Sequence, residues 1–346
     1  MFPISFNDKV NKLTSLINAG IPSYIPSVWL SIVQHVMSCF EKIRLRPQND
    51  KWLISGNSEK FRRKVLGYVV GGAPIPFVLP AFPMKSKNRI KKTIGPLPDM
   101  AEWISLKHLA NFCREIRKIY APGVKILIFG DGRLYGKILK YDDSEITEYE
   151  RVFKDMLSRL PEEIHDQLLY AGIDDYFERD MGYDKIRSYV YSLYDVTMEE
   201  VDNAIRTNEN INNVYKGFAR YLDEDLEGDI PKDISRTKRK QITKDFARKL
   251  LRGNMVYSLV IKDIFPHHLR LSIHPHNNED KVGVSLLENQ RFSAGTPWHR
   301  VAAKKKDGHW YFMRRIDAEA MNYKLKGQFN GEGTANRENW PHYVEE

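Results

Sequence analysis

The stretch VKILIFGDGRLYG, residues 124–136, places the strongest constraint on the fold of this 346-residue chain. Its first six residues are apolar except Lys125, and such a strand is typical of a parallel sheet covered on both faces. Asp131 and Arg133 follow at the end of the run. Because ligands of open α/β sheets bind beyond the carboxyl ends of the strands, both side chains are candidates for a functional site. A tight turn carrying a solvated acid and base explains this stretch equally well.

The glycines here do not form a dinucleotide-binding fingerprint. Gly130, Gly132 and Gly136 are spaced G-x-G-x-x-x-G, which is one residue longer than G-x-G-x-x-G. The chain also lacks a G-x-S-x-G nucleophile elbow, a P-loop and the protein-kinase motifs. The common hydrolases and phosphoryl-transfer enzymes of those classes are therefore disfavoured.

Composition narrows the class of protein further. With 42% hydrophobic and 12% aromatic residues the chain is globular, and its net charge of +9 favours an anionic partner, such as nucleic acid, a membrane surface or a phosphorylated small molecule. No signal sequence and no apolar run of about 18 residues is recognisable, so we expect a cytoplasmic protein. The two cysteines fit a reducing compartment, and Cys113 falls on an apolar helical face as a buried thiol.

The order of predicted elements is that of an α/β protein with a Rossmann-like mixed sheet, a helical N-terminal region and a helical insertion. We predict a single domain over residues 1–346. Residues 1–66 form the helical N-terminal region, residues 67–141 and 254–315 form the α/β core, and residues 142–253 form a mainly helical layer or lid.

Local patterns predict individual elements. The proline-rich residues 71–84 run as extended chain beside a pocket. A helix starts at Asp99, where Glu102 completes a capping box, and ends before Pro122. A basic helix over Arg236–Gly253 is followed by strands in YSLVIKDIF, LRLSIHP, KVGVSLL, WHRVAAKK and HWYFMRR.

The run KSKNRIKK, residues 85–92, holds five basic residues. A solvated basic loop is the usual explanation for such a run. Capture of a phosphate group is the functional alternative, because Ser86 and Asn88 add hydrogen-bond donors. Nucleic-acid binding would call for exposed aromatic residues within the run or a known module, and neither is visible. A phosphorylated metabolite is therefore favoured over nucleic acid.

Two histidines are candidates for acid–base chemistry. His274 ends a predicted strand in LSIHPH, close to three other histidines, but their spacing matches no zinc motif. Two interpretations of His274 remain: it is a single catalytic imidazole, or it is a histidine at a strand end whose side chain is hydrogen-bonded to the backbone. His299 follows Trp298 in TPWHR, and such a pair is either core packing with a polar handle or part of a pocket.

Six segments occur in an order that resembles the isocyanide (isonitrile) synthase family, also called the pyoverdine/dityrosine biosynthesis family. They are AFPMKSKN, GPLPDMAE, the strand ending in GDGR, YKGFARYLDEDL, LRLSIHP and TPWHRVA. Together they extend over residues 81–302, which is most of the chain.

This resemblance implies an enzyme that converts the α-amino group of an amino acid, typically tyrosine or tryptophan, to an isocyanide with ribulose 5-phosphate as carbon donor. It implies a Rossmann-like fold and neither metal nor redox cofactor for this step. The implied partners are small molecules rather than nucleic acid or membrane. A homodimer is compatible with it, and an Fe(II)/2-oxoglutarate oxygenase is expected downstream in a secondary-metabolite pathway.

The matching motifs also supply site residues. We hypothesise that Asp131, His274 and His299 exchange the protons of the reaction. Asp99 and Glu102 are expected either to hold the substrate ammonium or only to cap their helix. The substrate-binding candidates as a group are Lys85, Ser86, Asn88, Asp99, Glu102, Arg133, Arg270 and Trp298.

Two other functions stay open at this point. One is a dityrosine-type relative that forms N-formyl-tyrosine, which the mass of the product would reveal. The other is a basic nucleic-acid-binding protein, whose affinity would fall steeply with salt.

Overall fold

The computed structural model describes residues 26–53, 56–177, 181–226, 230–231, 233–276, 281–288, 290, 295–327 and 342–346. A five-stranded sheet in the order β3-β2-β1-β4-β5, with every neighbouring pair parallel, forms its centre. The strands are β1 (Ile75–Pro80), β2 (Val124–Gly130), β3 (Leu168–Gly172), β4 (Leu269–Ser272) and β5 (Lys281–Gly283). The predicted α/β class is confirmed.

Helices cover both faces of this sheet. They are α1 (Ser27–Ile43), α2 (Asn57–Val70), α3 (Met100–Arg117), α4 (Gly132–Tyr135), α5 (Asp143–Ser158), α6 (Tyr183–Tyr194), α7 (Met198–Thr207), α8 (Glu209–Asp225), α9 (Arg236–Ile264) and α10 (Arg315–Ala320). Residues 1–25, where part of the predicted N-terminal helical region falls, lie outside the described residues.

The two faces of the sheet belong to two separate apolar clusters, which explains the nearly continuous apolar strands. Phe77 and Ile128 point to one face and pack with α1, α2, α3 and α5. Val78, Leu127 and Phe129 point to the other face and pack with α6 and α9. Because successive side chains of a strand alternate between faces, a strand buried on both sides needs apolar residues at every position.

The strand order defines where a ligand fits. The chain moves outward from β1 through β2 to β3, and then crosses to the other side of β1 to form β4 and β5. In open α/β sheets the crevice between such oppositely running connections, at the carboxyl ends of the strands, is the usual binding site. Here this crevice lies beyond the ends of β1 and β4, where residues 81–92 and His274 follow.

A second, smaller sheet in the order β7-β6-β9-β8 lies near the end of the chain. Its strands are β6 (Val301–Lys304), β7 (Trp310–Met313), β8 (Lys324–Lys326) and β9 (Tyr343–Glu345). The β6 strand follows directly on a single 3-10 turn, Pro297–His299. The sheet therefore fixes the position of the predicted T-P-W-H segment.

The predicted end of the basic helix at Gly253 and the strand YSLVIKDIF are wrong, since α9 continues to Ile264. Gly253 lies against Tyr135, with an added Cβ only 2.9 Å from the Tyr135 Cε1 atom, so its role is close packing rather than helix termination. Buried residues of this segment recur at helical spacing, at Val256, Tyr257, Val260 and Ile261.

The second difference concerns β3, because it lies within residues 142–253, the segment predicted to be mainly helical. β3 is five residues long and lies at one edge of the central sheet, paired only with β2 among the described strands. Its strand conformation is set by the long-range pairing with β2, because a short apolar run does not by itself distinguish strand from helix.

Several local predictions are confirmed. Residues 75–80 of the proline-rich stretch are extended as β1. The helix at Asp99 begins with a complete capping box. Cys113 is fully buried, and burial raises the pKa of its thiol. No described helix is long and apolar enough to cross a membrane.

Gly132 shows why a glycine lies in the turn after β2. A Cβ at this position would lie 2.4 Å from the carbonyl oxygen of Pro83, which belongs to the segment after β1. We expect Gly132→Ala to lower the free energy of unfolding by about 1–3 kcal/mol, because backbone must shift to relieve the overlap. Urea unfolding measures this loss.

Gly217 supplies a matched control for this prediction. It lies within α8, and no atom is within 4 Å of an added Cβ. Gly217→Ala is therefore expected to stabilise the protein by about 0.5–1 kcal/mol through helix propensity. Equal effects of the two substitutions would contradict the packing role of Gly132.

Candidate active site

The segment after β1 turns sharply at Phe82. Its φ angle of 58° lies in the left-handed region, which is unusual for a bulky residue. The fully buried ring packs against Phe153 at a centroid distance of 4.7 Å and against Trp298 at 5.2 Å. Packing therefore holds a backbone conformation that costs roughly 1–3 kcal/mol, and such strain is found most often at functional sites.

Lys85 follows this turn and is directed into the protein interior. Its Nζ lies 2.9 Å from Asp99 Oδ1 and 2.8 Å from Glu102 Oε2, and it donates to the Pro297 carbonyl at 2.9 Å. The side chain is fully buried. Since an ammonium has three hydrogens, these three partners use its whole hydrogen-bonding capacity. The contacts make Lys85 an anchor for the T-P-W-H segment and do not support its predicted role in phosphate binding.

Asp99 and Glu102 have two functions at once. The Asp99 side chain accepts from Ala101 N and Glu102 Oε2 accepts from Asp99 N, both at 2.9 Å, so the capping box is formed. Both carboxylates also face the Lys85 ammonium. Burial, partly offset by Lys85, raises the pKa of Glu102 to about 7. Glu102 and Asp99 Oδ1 thus bind the helix and Lys85, whereas Asp99 Oδ2 is buried without a hydrogen-bond partner among the described residues. The predicted contact with a substrate ammonium stays a prediction.

The remainder of the basic loop binds the end of α8. Ser86 Oγ donates to Asp225 Oδ1 in a short hydrogen bond, and Asn88 Nδ2 donates to the Glu224 carbonyl at 2.8 Å. Lys92 Nζ lies 3.2 Å from Asp225 Oδ1 and donates to the Tyr221 carbonyl at 3.2 Å. Donors at a helix C-terminus satisfy carbonyl groups that have no partner within the helix. The loop thereby attaches the helical layer to the carboxyl edge of the sheet.

His299 lies beside this contact. Its Nδ1 is 3.2 Å from Thr296 Oγ1, and its Nε2 is 3.8 Å from Asp225 Oδ2. The imidazole packs on the Tyr221 ring at a centroid distance of 5.2 Å. Burial lowers the pKa of His299, and the nearby Lys92 ammonium lowers it further against the opposing effect of Asp225. A neutral imidazole at neutral pH is suited to accept a proton.

Trp298 belongs to the apolar core, as the packing interpretation predicts. It is buried, and its ring meets Phe82 edge to face. Its backbone carbonyl accepts from Ser86 N at 2.8 Å, which joins the segment after β1 to the turn before β6. In this position Trp298 stabilises the turn that carries His299, rather than forming a contact surface for a substrate.

Asp131 ends β2 and enters the same region. Its Oδ1 atom is buried and has no hydrogen-bond partner among the described residues. Burial raises the pKa of Asp131 to about 7. The carboxyl group is near four tyrosines, whose hydroxyl pKa values are raised by burial and by its negative charge: Tyr135, Tyr170, Tyr221 and Tyr257. Of these four tyrosines, Tyr221 also packs on the His299 imidazole.

Arg133 lies elsewhere, in a buried ion cluster. Its guanidinium donates to Glu150 Oε2 at 2.8 Å and to the Asp143 carbonyl at 2.7 Å, and it lies 3.9 Å from the Tyr183 ring centroid. Asp174 is 3.7 Å away. This cluster links α4, α5 and the turn after β3. The contacts support a structural role for Arg133, and its predicted contact with a substrate gains no support from them.

The β4 candidates have partners other than those of His299. Arg270 donates to Ser258 Oγ of α9 at 2.9 Å. His274 is exposed beyond the end of β4, where its backbone N–H donates to Ser272 Oγ at 3.2 Å. In the described part of the chain no contact joins His274 to His299 or Asp131. Its catalytic role stays a prediction.

The structure adds residues that the motif analysis did not select. These are Asp225, Lys92, Tyr221, Thr296 and Arg300. Two of them lie in the segment YKGFARYLDEDL, so the resemblance contained a signal for them. Nothing local indicated that the C-terminal end of a charged helix reaches the sheet edge. Among the described residues, no group of three or more His, Cys, Asp and Glu side chains is placed to hold a metal ion.

The fold and the site define an α/β protein with a Rossmann-like parallel sheet and a cluster of buried ionisable side chains at its carboxyl edge. A family model described as "Pyoverdine/dityrosine biosynthesis protein" matches residues 65–326. The chain belongs to this family.

Individual relatives agree with this assignment. The chain is 33% identical to L-tryptophan isonitrile synthase AmbI2 of Fischerella ambigua over 264 residues, which cover 76% of this chain and 77% of that protein. It is 29% identical to the L-tyrosine isonitrile synthase of Xenorhabdus nematophila over 266 residues, 76% and 77% of the two chains. The crystal structure of PvcA from Pseudomonas aeruginosa matches with a TM-score of 0.79 and 26% identity, over 91% of this chain and 99% of that one. The sequence prediction of an enzyme of the isocyanide synthase type is confirmed.

The two histidines can be separated by one experiment. We expect His299→Ala to lower turnover by about 10²–10⁴-fold with the fold intact, because this imidazole lies beside Asp225 and Tyr221. His274→Ala is the matched comparison. Turnover is measured from product mass and folding from circular dichroism. An equal loss at His274 would place both histidines in the reaction, and full activity of His299→Ala would remove His299 from it.

Proposed function

We propose that the protein is an amino-acid isonitrile synthase that acts on L-tyrosine or L-tryptophan with ribulose 5-phosphate as the carbon donor. The observation that carries this proposal is that two buried proton-transfer candidates lie at the carboxyl edge of the sheet: Asp131 follows β2 with an unpartnered Oδ1 atom, and His299 faces Asp225 at 3.8 Å. The names of the relatives support the two aromatic amino acids as substrates.

The chemistry asks for groups that alternate between acid and base. The amino group must lose a proton before it attacks the ketone carbon of the donor, and the oxygen that departs must gain protons to leave as water. Two carbon–carbon bonds of the donor then break, so that only the ketone carbon remains on nitrogen. With a pKa near 7, Asp131 is suited to accept the ammonium proton and return it later. The neutral His299 imidazole is suited to a second proton transfer.

The proposal is tested with purified protein, amino acids and ribulose 5-phosphate that carries a heavy carbon at the ketone position. The expected product is heavier than one amino acid by one labelled carbon and lighter by two hydrogens. Its identity names the amino acid. If no amino acid gives a labelled product, the proposed reaction is incorrect.

A second candidate is formation of an N-formyl amino acid, which the dityrosine part of the family description favours. The same experiment separates the two, because the N-formyl product gains one labelled carbon and one oxygen without loss of hydrogen.

A further inference from the structure

We infer that Arg300, Lys92 and Ser86 form a subsite for a phosphate monoester, and that the Asp225 carboxylate occupies this subsite in the present structure. The inference rests on the proposed function, in which the donor is a sugar phosphate. It names the residues that bind the phosphate group, and Ser86 alone among them belongs to the predicted substrate-binding residues.

The first observation is the set of donors around Asp225. One of its oxygens accepts from the Ser86 hydroxyl and lies 3.2 Å from the Lys92 ammonium, and its other oxygen faces His299 Nε2 at 3.8 Å. Ser86 and Lys92 are both buried. Carboxylate and phosphate oxygens are bound by the same hydroxyl and ammonium donors. The geometry that binds Asp225 is therefore also suited to a phosphate.

The second observation concerns Arg300. Its side chain is half-buried, yet among the described residues no carboxylate lies within ion-pair distance of its guanidinium, whose NH1 donates to the His299 carbonyl at 2.9 Å. Burial lowers the pKa of Arg300 and the charge of Arg314 lowers it further, against the opposing charges of Glu224, Asp317 and Asp225. A planar guanidinium without a direct ion pair has donors available, and its fork matches two phosphate oxygens at once. Arg300 is thus a cation with capacity for an anionic ligand.

The third observation is the charge balance of this region. The cations Lys92, Arg300 and Arg314 are opposed by Glu224, Asp225 and Asp317. If the end of α8 moves away with its two carboxylates, two positive charges are left without counter-charges. A phosphate monoester carries close to two negative charges at neutral pH. One phosphate monoester therefore supplies the negative charge that Glu224 and Asp225 supply in the present structure.

Replacement of Asp225 by a phosphate would also change the surroundings of His299. The same turn of α8 carries Tyr221, whose ring packs on His299 and whose carbonyl accepts from Lys92. Binding of the phosphate is thus coupled to the position of the aromatic ring that packs on His299.

The test titrates inorganic phosphate into the full-length protein by calorimetry. Arg300→Gln is expected to weaken phosphate binding by about tenfold or more, because a charge-assisted contact is lost. Asp225→Asn is expected to tighten it several-fold, because the competing carboxylate charge is removed. Arg151→Gln is the matched control, since Arg151 is exposed and pairs with Glu148 at 2.7 Å on α5. It should leave phosphate affinity unchanged.

Kinetics identify the source of the anion. If the subsite serves the donor, Arg300→Gln raises the KM for ribulose 5-phosphate by tenfold or more and leaves the KM for the amino acid unchanged. The reverse pattern would assign these residues to the substrate carboxylate and overturn the inference. Phosphate affinity that is unchanged in both Arg300→Gln and Asp225→Asn would also overturn it.

Two controls keep these outcomes separate from other failures. Arg300→Lys retains the charge without the planar fork, so an intermediate phosphate affinity is expected even if Arg300→Gln folds poorly. The calorimetric result does not depend on turnover. Phosphate binding that follows the expected order in a protein that makes no isonitrile would therefore refute the proposed reaction while supporting the subsite.

Discussion

Lys85→Met is expected to lower the free energy of unfolding by about 3–5 kcal/mol, since it leaves two buried carboxylates without their counter-charge. In the native protein the ammonium lies between Asp99 and Glu102, at 2.9 Å and 2.8 Å. Its loss also removes the hydrogen bond to Pro297, which holds the turn that carries His299. We therefore expect turnover to fall together with stability.

Urea unfolding measures the effect of this substitution. The matched control is Lys118→Met, because Lys118 forms an exposed ion pair with Glu115 on the surface. Such pairs contribute about 1 kcal/mol or less, so the control should unfold close to the wild-type midpoint. A similar small loss in Lys85→Met would show that the buried cluster does not stabilise the fold.

Asp131→Asn is expected to lower turnover by about 10²–10⁴-fold and, at pH 8, to raise the free energy of unfolding by about 1–3 kcal/mol. Burial raises the pKa of Asp131 from 3.8 to about 7, so the folded state disfavours the ionised form. Below about pH 3.8 the Asp131 carboxyl group is protonated in both the folded and the unfolded state, and its contribution to the free energy of unfolding is at its maximum. This contribution is lost as the pH rises to about 7, because the unfolded state ionises first. The uncharged amide avoids this loss.

The measurement compares wild type and Asp131→Asn in urea at pH 5 and at pH 8. The gain in stability should be larger at pH 8 than at pH 5. Taking the difference between the two proteins removes the parallel contributions of Glu102 and Glu150, whose pKa values burial also raises to about 7. A variant that is less stable at pH 8, or that retains turnover, would contradict the assigned role of Asp131.

The predictions that held depend on local pattern. The apolar run before Asp131 predicted a strand buried on both faces, and β2 is the second strand of such a sheet. The capping box at Asp99 formed because its hydrogen bonds join residues two and three positions apart. By contrast, Tyr257–Phe265 was expected to be a strand, since a short apolar run fits strand and buried helix alike.

The candidate site was predicted in part. The motifs selected Asp131, Ser86 and His299, which the structure brings to one edge of the sheet. They could not indicate Asp225, because the contact between Ser86 and Asp225 joins residues 139 positions apart. The motifs also could not indicate Arg300. Its candidate role in anion binding depends on the absence of an ion-paired carboxylate among the described residues, which is a result of tertiary packing.

The sequence by itself determined the buried central strand, the capped helix, the glycine turn and the family, because these depend on residue type and short spacing. Only the tertiary structure decided what the charged residues do. Lys85 and Arg133 are both basic residues in family motifs, yet each is enclosed by carboxylates of distant segments. The energy of a charge depends on its partners and its burial, and these are fixed only when remote parts of the chain pack together.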